Sequence, residues 1–216
     1  MTKKTFTFWG LDFICTTAIA VILAFGKKYM WFIIFPFSVV FVLKFLQFFL
    51  HKDEKYRAIQ NQMSLLLLLI KKSYGNIRCT LHVPRWRFLR RKLIQTFDYI
   101  QMGGAGGGGK GRPFPTDKGI IGRAYNRKMP QVESFNDSKE YYSKMVGEYN
   151  YTKSQTEKRT QDRRSYLCYP VMNEKNIVLG LLYFDSNMSE AFSLNDNDEI
   201  IGLLHSGMNA IKTNLI

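Results

Sequence analysis

Arg164-Ser165-Tyr166-Leu167-Cys168-Tyr169-Pro170-Val171-Met172 and Ile177-Val178-Leu179-Gly180-Leu181-Leu182-Tyr183-Phe184-Asp185-Ser186 flank a short polar link, Asn173-Glu174-Lys175-Asn176. Two β-rich runs around such a link predict an antiparallel hairpin. The second run is almost wholly apolar, so at least one of the two strands is buried on both faces. Gly180 inside that strand predicts close approach by another backbone or by a ligand. After Asp185 comes a turn through Phe192 and Ser193, then a helix to the C-terminus.

The hairpin resembles the closing segment of a GAF domain, a small ligand-sensing fold. The resemblance rests on Arg164, Ser165, Leu167, Pro170, Val171, Val178, Gly180, Leu182, Asp185, Ser186, Phe192 and Ser193. A second match lies upstream, where Lys118-Gly119-Ile120-Ile121-Gly122-Arg123-Ala124 is similar to the family's Gly-x-Ile-Gly-x-Ala helix start. The resemblance covers residues 76–216. It implies an α/β fold in which helices flank an antiparallel sheet, with a helical lid over a small ligand.

Within that region, Asn76 to Val83 alternates Ile77, Cys79, Leu81 and Val83 with Arg78, Thr80 and His82, which predicts a half-buried strand ended by Pro84. Arg85-Trp86-Arg87-Phe88-Leu89-Arg90-Arg91-Lys92 follows. It reads as a solvated basic turn, or as one whose aromatics sit on anionic headgroups. No recognition motif accompanies it, so direct nucleic-acid binding is not expected. Leu93 to Met102 is the next predicted strand. The glycine run from Gly103 to Gly111 nearly spells a phosphate-binding loop. Gly111 stands where the Ser or Thr belongs, however, and Arg112-Pro113-Phe114-Pro115 cannot open the required helix. A flexible inter-strand loop is expected instead. Thr116 is the predicted cap of a helix starting near Gly119, and Met129 to Ser134 is a short strand.

The resemblance makes Phe135 to Asp162 the lid. This segment is rich in tyrosine and lysine, and Arg163 and Arg164 follow it. Aromatic rings stack on bases and guanidinium groups fork onto phosphates. A small nucleotide-like anion is therefore the expected ligand, held by Phe97, Tyr99, Tyr141, Tyr142, Tyr149, Arg163, Arg164 and Tyr166. Lid tyrosines that simply pack beneath a solvated helix are the other reading. The Asn-Lys-Phe-Asp-Glu pattern of the family's phosphodiesterase members is not found, which argues against simple cyclic AMP or cyclic GMP sensing. No bilin-type Cys-His pair is visible, so no cofactor is expected.

The chain has 216 residues, enough for one or two domains. Lys and Arg number 31 against 17 Asp and Glu, a formal charge of +14 that favours phosphates or anionic lipid. Cys15, Cys79 and Cys168 are widely spaced and odd in number, predicting neither disulfides nor a zinc site. No Ser-His-Asp, Cys-His or paired-carboxylate set is apparent. The expectation is a protein that is not an enzyme and has no catalytic or metal-ligating residues.

The front of the chain reads differently. Thr5 to Gly26 and Tyr29 to Leu50 are each apolar over about 20 residues, the length that spans a bilayer. Basic residues flank the outer ends, with Lys3 and Lys4 before the first run and Lys52, Lys55 and Arg57 after the second. Both termini are therefore expected in the cytoplasm, on a multi-pass protein of the bacterial inner membrane. Asp12 and Lys44 are equidistant from Lys28 and fall at one depth. One reading is a salt bridge that locks the hairpin; the other is a polar stripe with Thr16 that lines a pore. Residues 51–75 lack Pro and, until Gly75, Gly, and read as one connecting helix. It either packs on its own sheet or pairs with a second copy.

The expected layout is thus a transmembrane hairpin over 1–50, a connector helix over 51–75 and a GAF-like domain over 76–216. It resembles, as an architecture, the membrane effectors of bacterial anti-phage signalling. That resemblance implies a homo-oligomer whose membrane hairpins associate when a nucleotide-like signal, such as a cyclic oligonucleotide, is bound. The alternative is a membrane-tethered adaptor that relays ligand state to a partner protein without forming a pore.

Overall fold

The computed structural model describes residues 30–70, 76–101, 104–105, 107–157, 162–192 and 197–215. The chain divides into two compact units, Met1–Glu54 and Lys55–Ile216.

In the first unit the described residues belong to helix α1 (Met30–Ile70), which continues unbroken into the second. Val39 to Leu43, Phe45, Leu46, Phe48 and Leu50 are all exposed on it. Lys44 is exposed too, with Nζ 3.5 Å from Gln47 Oε1. Asp12 and Thr16 lie outside the described residues, as does all of Thr5–Gly26. Among the described residues no helix is long and apolar enough to cross a membrane. The second of the two transmembrane helices expected from sequence is therefore not found there, and the first falls on residues outside the described ones.

The second unit is built on one antiparallel sheet. Its strands are β1 (Ile77–Arg87), β2 (Arg90–Gln95), β3 (Ile100–Gln101), β4 (Gly104–Ala105), β5 (Pro113–Pro115), β6 (Gln131–Ser134), β7 (Ser165–Met172) and β8 (Val178–Ser186). The order is β4-β3-β1-β8-β7-β6, with β2 on the outer half of β1 and β5 on β2. The β7–β8 hairpin is centred as its sequence predicts. Asn176 turns it at φ +54°, and Asn173 Oδ1 accepts from the Lys175 and Ile177 amides. Apart from the half-buried Leu179, every residue of β8 is buried. A Cβ on Gly180 would lie 3.1 Å from Leu215 and 3.2 Å from Leu81, so this glycine admits a helix and a neighbouring strand's side chain, not a ligand.

One face of the sheet carries two helices, α1 and the C-terminal α5 (Asn197–Leu215). Ile59, Met63, Leu66, Leu67 and Ile70 recur at spacings of three and four, which puts them on one stripe of α1. They pack with Leu204, Met208 and Ile211 of α5 over Leu81, Leu167, Leu182 and Phe184. Leu65, Leu68 and Leu69 point outward. Replacing Leu66 by alanine should cost about 3 kcal/mol of stability in urea titrations, the low end for a fully buried leucine.

The opposite face is covered by α2 (Gly119–Arg127), α3 (Ser138–Gly147) and α4 (Lys153–Glu157). Ile120, Ile121 and Ala124 of α2 and Tyr141 and Met145 of α3 meet Tyr166, Cys168, Leu181 and Tyr183. Thr116 does not cap α2. The capping position is Lys118, without a side-chain bond, and Gly119 takes φ +70° while its amide donates to Tyr149 O. A Cβ on Gly119 would meet Tyr151 Oη at 2.5 Å, so both conformation and packing demand glycine here.

Pro84 does not end β1, which continues to Arg87. Beyond His82 the strand pairs with β2 and no longer with β8, and a sheet tolerates proline at such an edge. Phe88 and Leu89 close the β1–β2 hairpin at φ +47° and +63°. For bulky residues the left-handed region costs about 1–2 kcal/mol each.

Candidate functional site

The strand register assembles the site. On β1, Arg78, Thr80 and His82 share a face; on β8, Leu181, Tyr183 and Asp185 share the same one. Arg78 stands opposite Asp185, and Asp185 opposite Tyr166 of β7. Read from sequence alone, the polar side of β1 looks like a solvent face. In the fold it is the floor beneath the α2–α3 layer.

Above this floor lies a cavity of about 460 Å³ lined by Arg78, Tyr99, Gly107, Gly108, Arg112, Phe114, Ile121, Tyr141, Arg163, Tyr166, Tyr183 and Asp185. Its volume is within the range of small-molecule sites, about 300–1,000 Å³. Three guanidinium groups face one carboxylate, so the lining carries excess positive charge.

Asp185 holds two of the three cations. Arg78 donates to it through Nε at 2.7 Å and Nη2 at 3.2 Å, and Arg163 Nε stands 3.4 Å from Asp185 Oδ1. Burial raises the Asp185 carboxyl above its ordinary value, opposed by Arg78 and then Arg163. Arg163 Nη1 donates to Asn76 O at 2.8 Å. The Arg78 guanidinium also lies 4.1 Å above the Tyr99 ring, a cation–π contact. Tyr166 donates its hydroxyl to Arg163 O at 2.8 Å, fixing ring and backbone together. Arg112 is exposed at the rim.

The glycine-rich segment forms one edge. Tyr99 N donates to Gly107 O, Gly111 N to Gln95 O and Lys110 N to Asp98 Oδ1. The described part of the loop is thus pinned to the sheet, where sequence predicts a flexible connection.

Of the residues expected to hold a ligand, Tyr99, Tyr141, Arg163 and Tyr166 line this cavity. Phe97 does not: it is buried on the other side of the sheet, its ring 4.2 Å from that of Tyr56. Tyr149 is also core, donating to Glu133 beneath the Arg123 guanidinium. Burial and then Glu133 push its hydroxyl upward, so it stays protonated. Tyr142 is half-buried on α3 outside the lining, and exposed Arg164 donates to Asn136 O. Sequence reasoning missed Arg78, Arg112, Tyr183 and Asp185. The signal was present in the alternation of β1 and in the buried acid of β8, but alternation does not reveal what covers a polar face.

Cys79 and Cys168 are buried, and burial pushes the Cys79 thiol up to about 12 and raises Cys168 as well. Among the described residues no cluster of His, Cys, Asp or Glu could hold a metal ion.

No family model and no curated protein matches the sequence. Solved structures do. The GAF domain region of a Geobacter sulfurreducens protein aligns at 18% identity over 74% of this chain and 97% of its own, with a TM-score of 0.50. The GAF domain of a two-component sensor histidine kinase from Bacillus halodurans aligns at 13% identity over 72% of this chain and 92% of its own, with a TM-score of 0.46. The type II free methionine-R-sulfoxide reductase of Thermoplasma acidophilum aligns at 15% identity over 74% of this chain and 93% of its own, with a TM-score of 0.48. The first of these likenesses, with the curled antiparallel sheet and its flanking helices, gives the second unit a GAF-like fold. The third likeness corrects the expectation of a protein that is not an enzyme, because the similar structures include a reductase.

Proposed function

We propose that the chain is a small-molecule sensor of the bacterial inner membrane whose cavity takes a compact, nucleotide-like anion. Occupancy would set how the N-terminal apolar segments of neighbouring copies associate. The observation that carries the reading is the composition of the cavity wall: Arg78, Arg112 and Arg163 against the single carboxylate of Asp185, interleaved with Tyr99, Tyr141, Tyr166 and Tyr183. Guanidinium groups fork onto phosphate oxygens, and tyrosine rings stack on a planar base. The exposed apolar residues between Val39 and Leu50 support a segment that meets lipid or further copies. A ligand shifts assembly only by its differential affinity for the two states.

Arg112 offers the clean test because it is exposed, so its loss should leave the fold intact. Nucleotides, cyclic nucleotides and cyclic oligonucleotides are titrated calorimetrically into the full chain. At least one should bind, and Arg112→Gln should weaken it about tenfold or more, as expected for one lost charge-assisted bond. Absence of binding across the panel, or unchanged affinity in Arg112→Gln, rejects the reading. The finer form, an effector that breaches the membrane in anti-phage defence, predicts ligand-dependent dye entry into cells expressing the chain. Unchanged permeability with a ligand that does bind rejects that form alone.

A further inference from the structure

We propose that the tip of the β1–β2 hairpin is a docking surface for an anionic lipid bilayer, separate from the ligand cavity. Trp86, Phe88 and Leu89 are 72%, 89% and 96% exposed, and together they form an apolar tip. Behind it stands a collar of cations, Arg85, Arg87, Arg90, Arg91 and Lys92. The register sets Arg87 opposite Arg90 and Trp86 opposite Arg91. Among the described residues no carboxylate pairs with any of the five. The Arg91 and Arg87 guanidiniums lie 6.0 Å from the Trp86 and Phe88 ring centres, so each cation sits beside an apolar body.

The turn itself does not call for these residues. A two-residue hairpin with both φ values positive is served best by Asn-Gly. Phe88 and Leu89 hold it in a region that bulky side chains avoid. Strain kept at an exposed site points to a use for the side chains that bear it. A ring and an aliphatic group at the tip, with positive charge one step behind, match the layering of a bilayer surface. Apolar groups enter the acyl boundary, while guanidinium and ammonium groups meet headgroup phosphates. Charge complementarity therefore selects anionic lipid over neutral lipid.

The test uses the full chain with Trp9→Phe and Trp31→Phe, leaving Trp86 as the sole tryptophan. The protein is incubated during detergent removal with bilayer discs whose acyl chains carry bromine. The discs are either phosphatidylcholine alone or phosphatidylcholine with phosphatidylglycerol. Trp86 emission should move to the blue and be quenched in the anionic discs and change little in the neutral ones. Arg87→Gln with Arg90→Gln should weaken the response by about twenty-five-fold in lipid concentration, at roughly fivefold per lost cation. Phe88→Asn with Leu89→Gly should abolish the response while the melting temperature stays level or rises, which separates lipid contact from folding. Equal quenching in both lipids overturns the proposal, as does none in either. So does a Trp86 response without lipid, whether to added RNA or to rising protein concentration.

Discussion

Replacing Asp185 by alanine should lower the stability of the GAF-like unit by about 3–5 kcal/mol, the usual cost of removing one partner from a buried ion pair. Its side chain is 2% exposed, and those of Arg78 and Arg163 are 20% and 9% exposed. Truncation leaves the Arg78 guanidinium largely out of water with no carboxylate, and Arg163 with only the exposed Asp162, 3.7 Å away. Burial raises the Asp185 carboxyl, whereas for Arg78 burial is overcome by the bond to Asp185, which holds the guanidinium charged; in a buried pair the desolvation of both groups offsets much of their attraction. The pair therefore adds little stability of its own, and most of the loss comes from stranding the arginines. Two consequences follow. Asp185→Leu combined with Arg78→Met should recover much of the loss, since apolar replacement of both partners is often neutral. Added phosphate should raise the melting temperature of Asp185→Ala more than that of the parent, because an external anion then fills the place of the carboxylate. Urea titration and thermal melts with and without phosphate measure both. A loss below about 1 kcal/mol would mean that water reaches the pair.

The same row of residues shows how far the sequence could be read. The β7–β8 hairpin was legible because β-branched and apolar runs around Asn173–Asn176 leave few other options. The stripe on α1 was only partly legible: Leu65 to Ile70 is apolar throughout, and packing alone decides that Leu66, Leu67 and Ile70 turn inward. The candidate site was half legible. Tyr99, Tyr141, Arg163 and Tyr166 stand out by composition, whereas Arg78 and Asp185 become neighbours only through the β1–β8 register. Phe97 and Tyr149 misled for a common reason. A large aromatic side chain buries well against any core: Phe97 faces the α1 side of the sheet, and Tyr149 lies on the cavity side but is taken up by Glu133 and Arg123. The Phe88-Leu89 turn was hidden because it lacks the Asn-Gly signature of its geometry.

His82 lies on the sheet face below the cavity, against the lining residues Phe114 and Tyr183, and predicts a sharp response to acid. It is fully buried, edge-on to Phe114 at 4.8 Å and to Tyr183 at 5.9 Å, and neither ring nitrogen has a hydrogen-bond partner among the described residues. Burial first, and then the charge of Arg112, lower it from 6.5 to about 3. The folded imidazole is thus neutral where the unfolded one takes a proton. Between pH 6.5 and pH 3 the unfolded state binds the extra proton, so stability falls as the pH falls. The loss should reach about 2 kcal/mol by pH 5 and about 4 kcal/mol by pH 3, at about 1.4 kcal/mol per pH unit until the folded imidazole itself begins to protonate. Asp137 and Glu140 have carboxyls held below their ordinary values by backbone donors, so their contributions disappear only in stronger acid. The raised carboxyl of Asp185 acts in the opposite sense, taking up its proton first in the folded state, so the difference between parent and His82→Leu isolates the histidine. His82→Leu should abolish the loss between pH 6.5 and pH 5 and leave stability at pH 7 unchanged or about 1 kcal/mol higher, because it removes a buried polar ring without a partner. Urea titrations of both proteins at pH 7 and pH 5 decide the matter, and parallel losses would show that His82 is hydrated in solution.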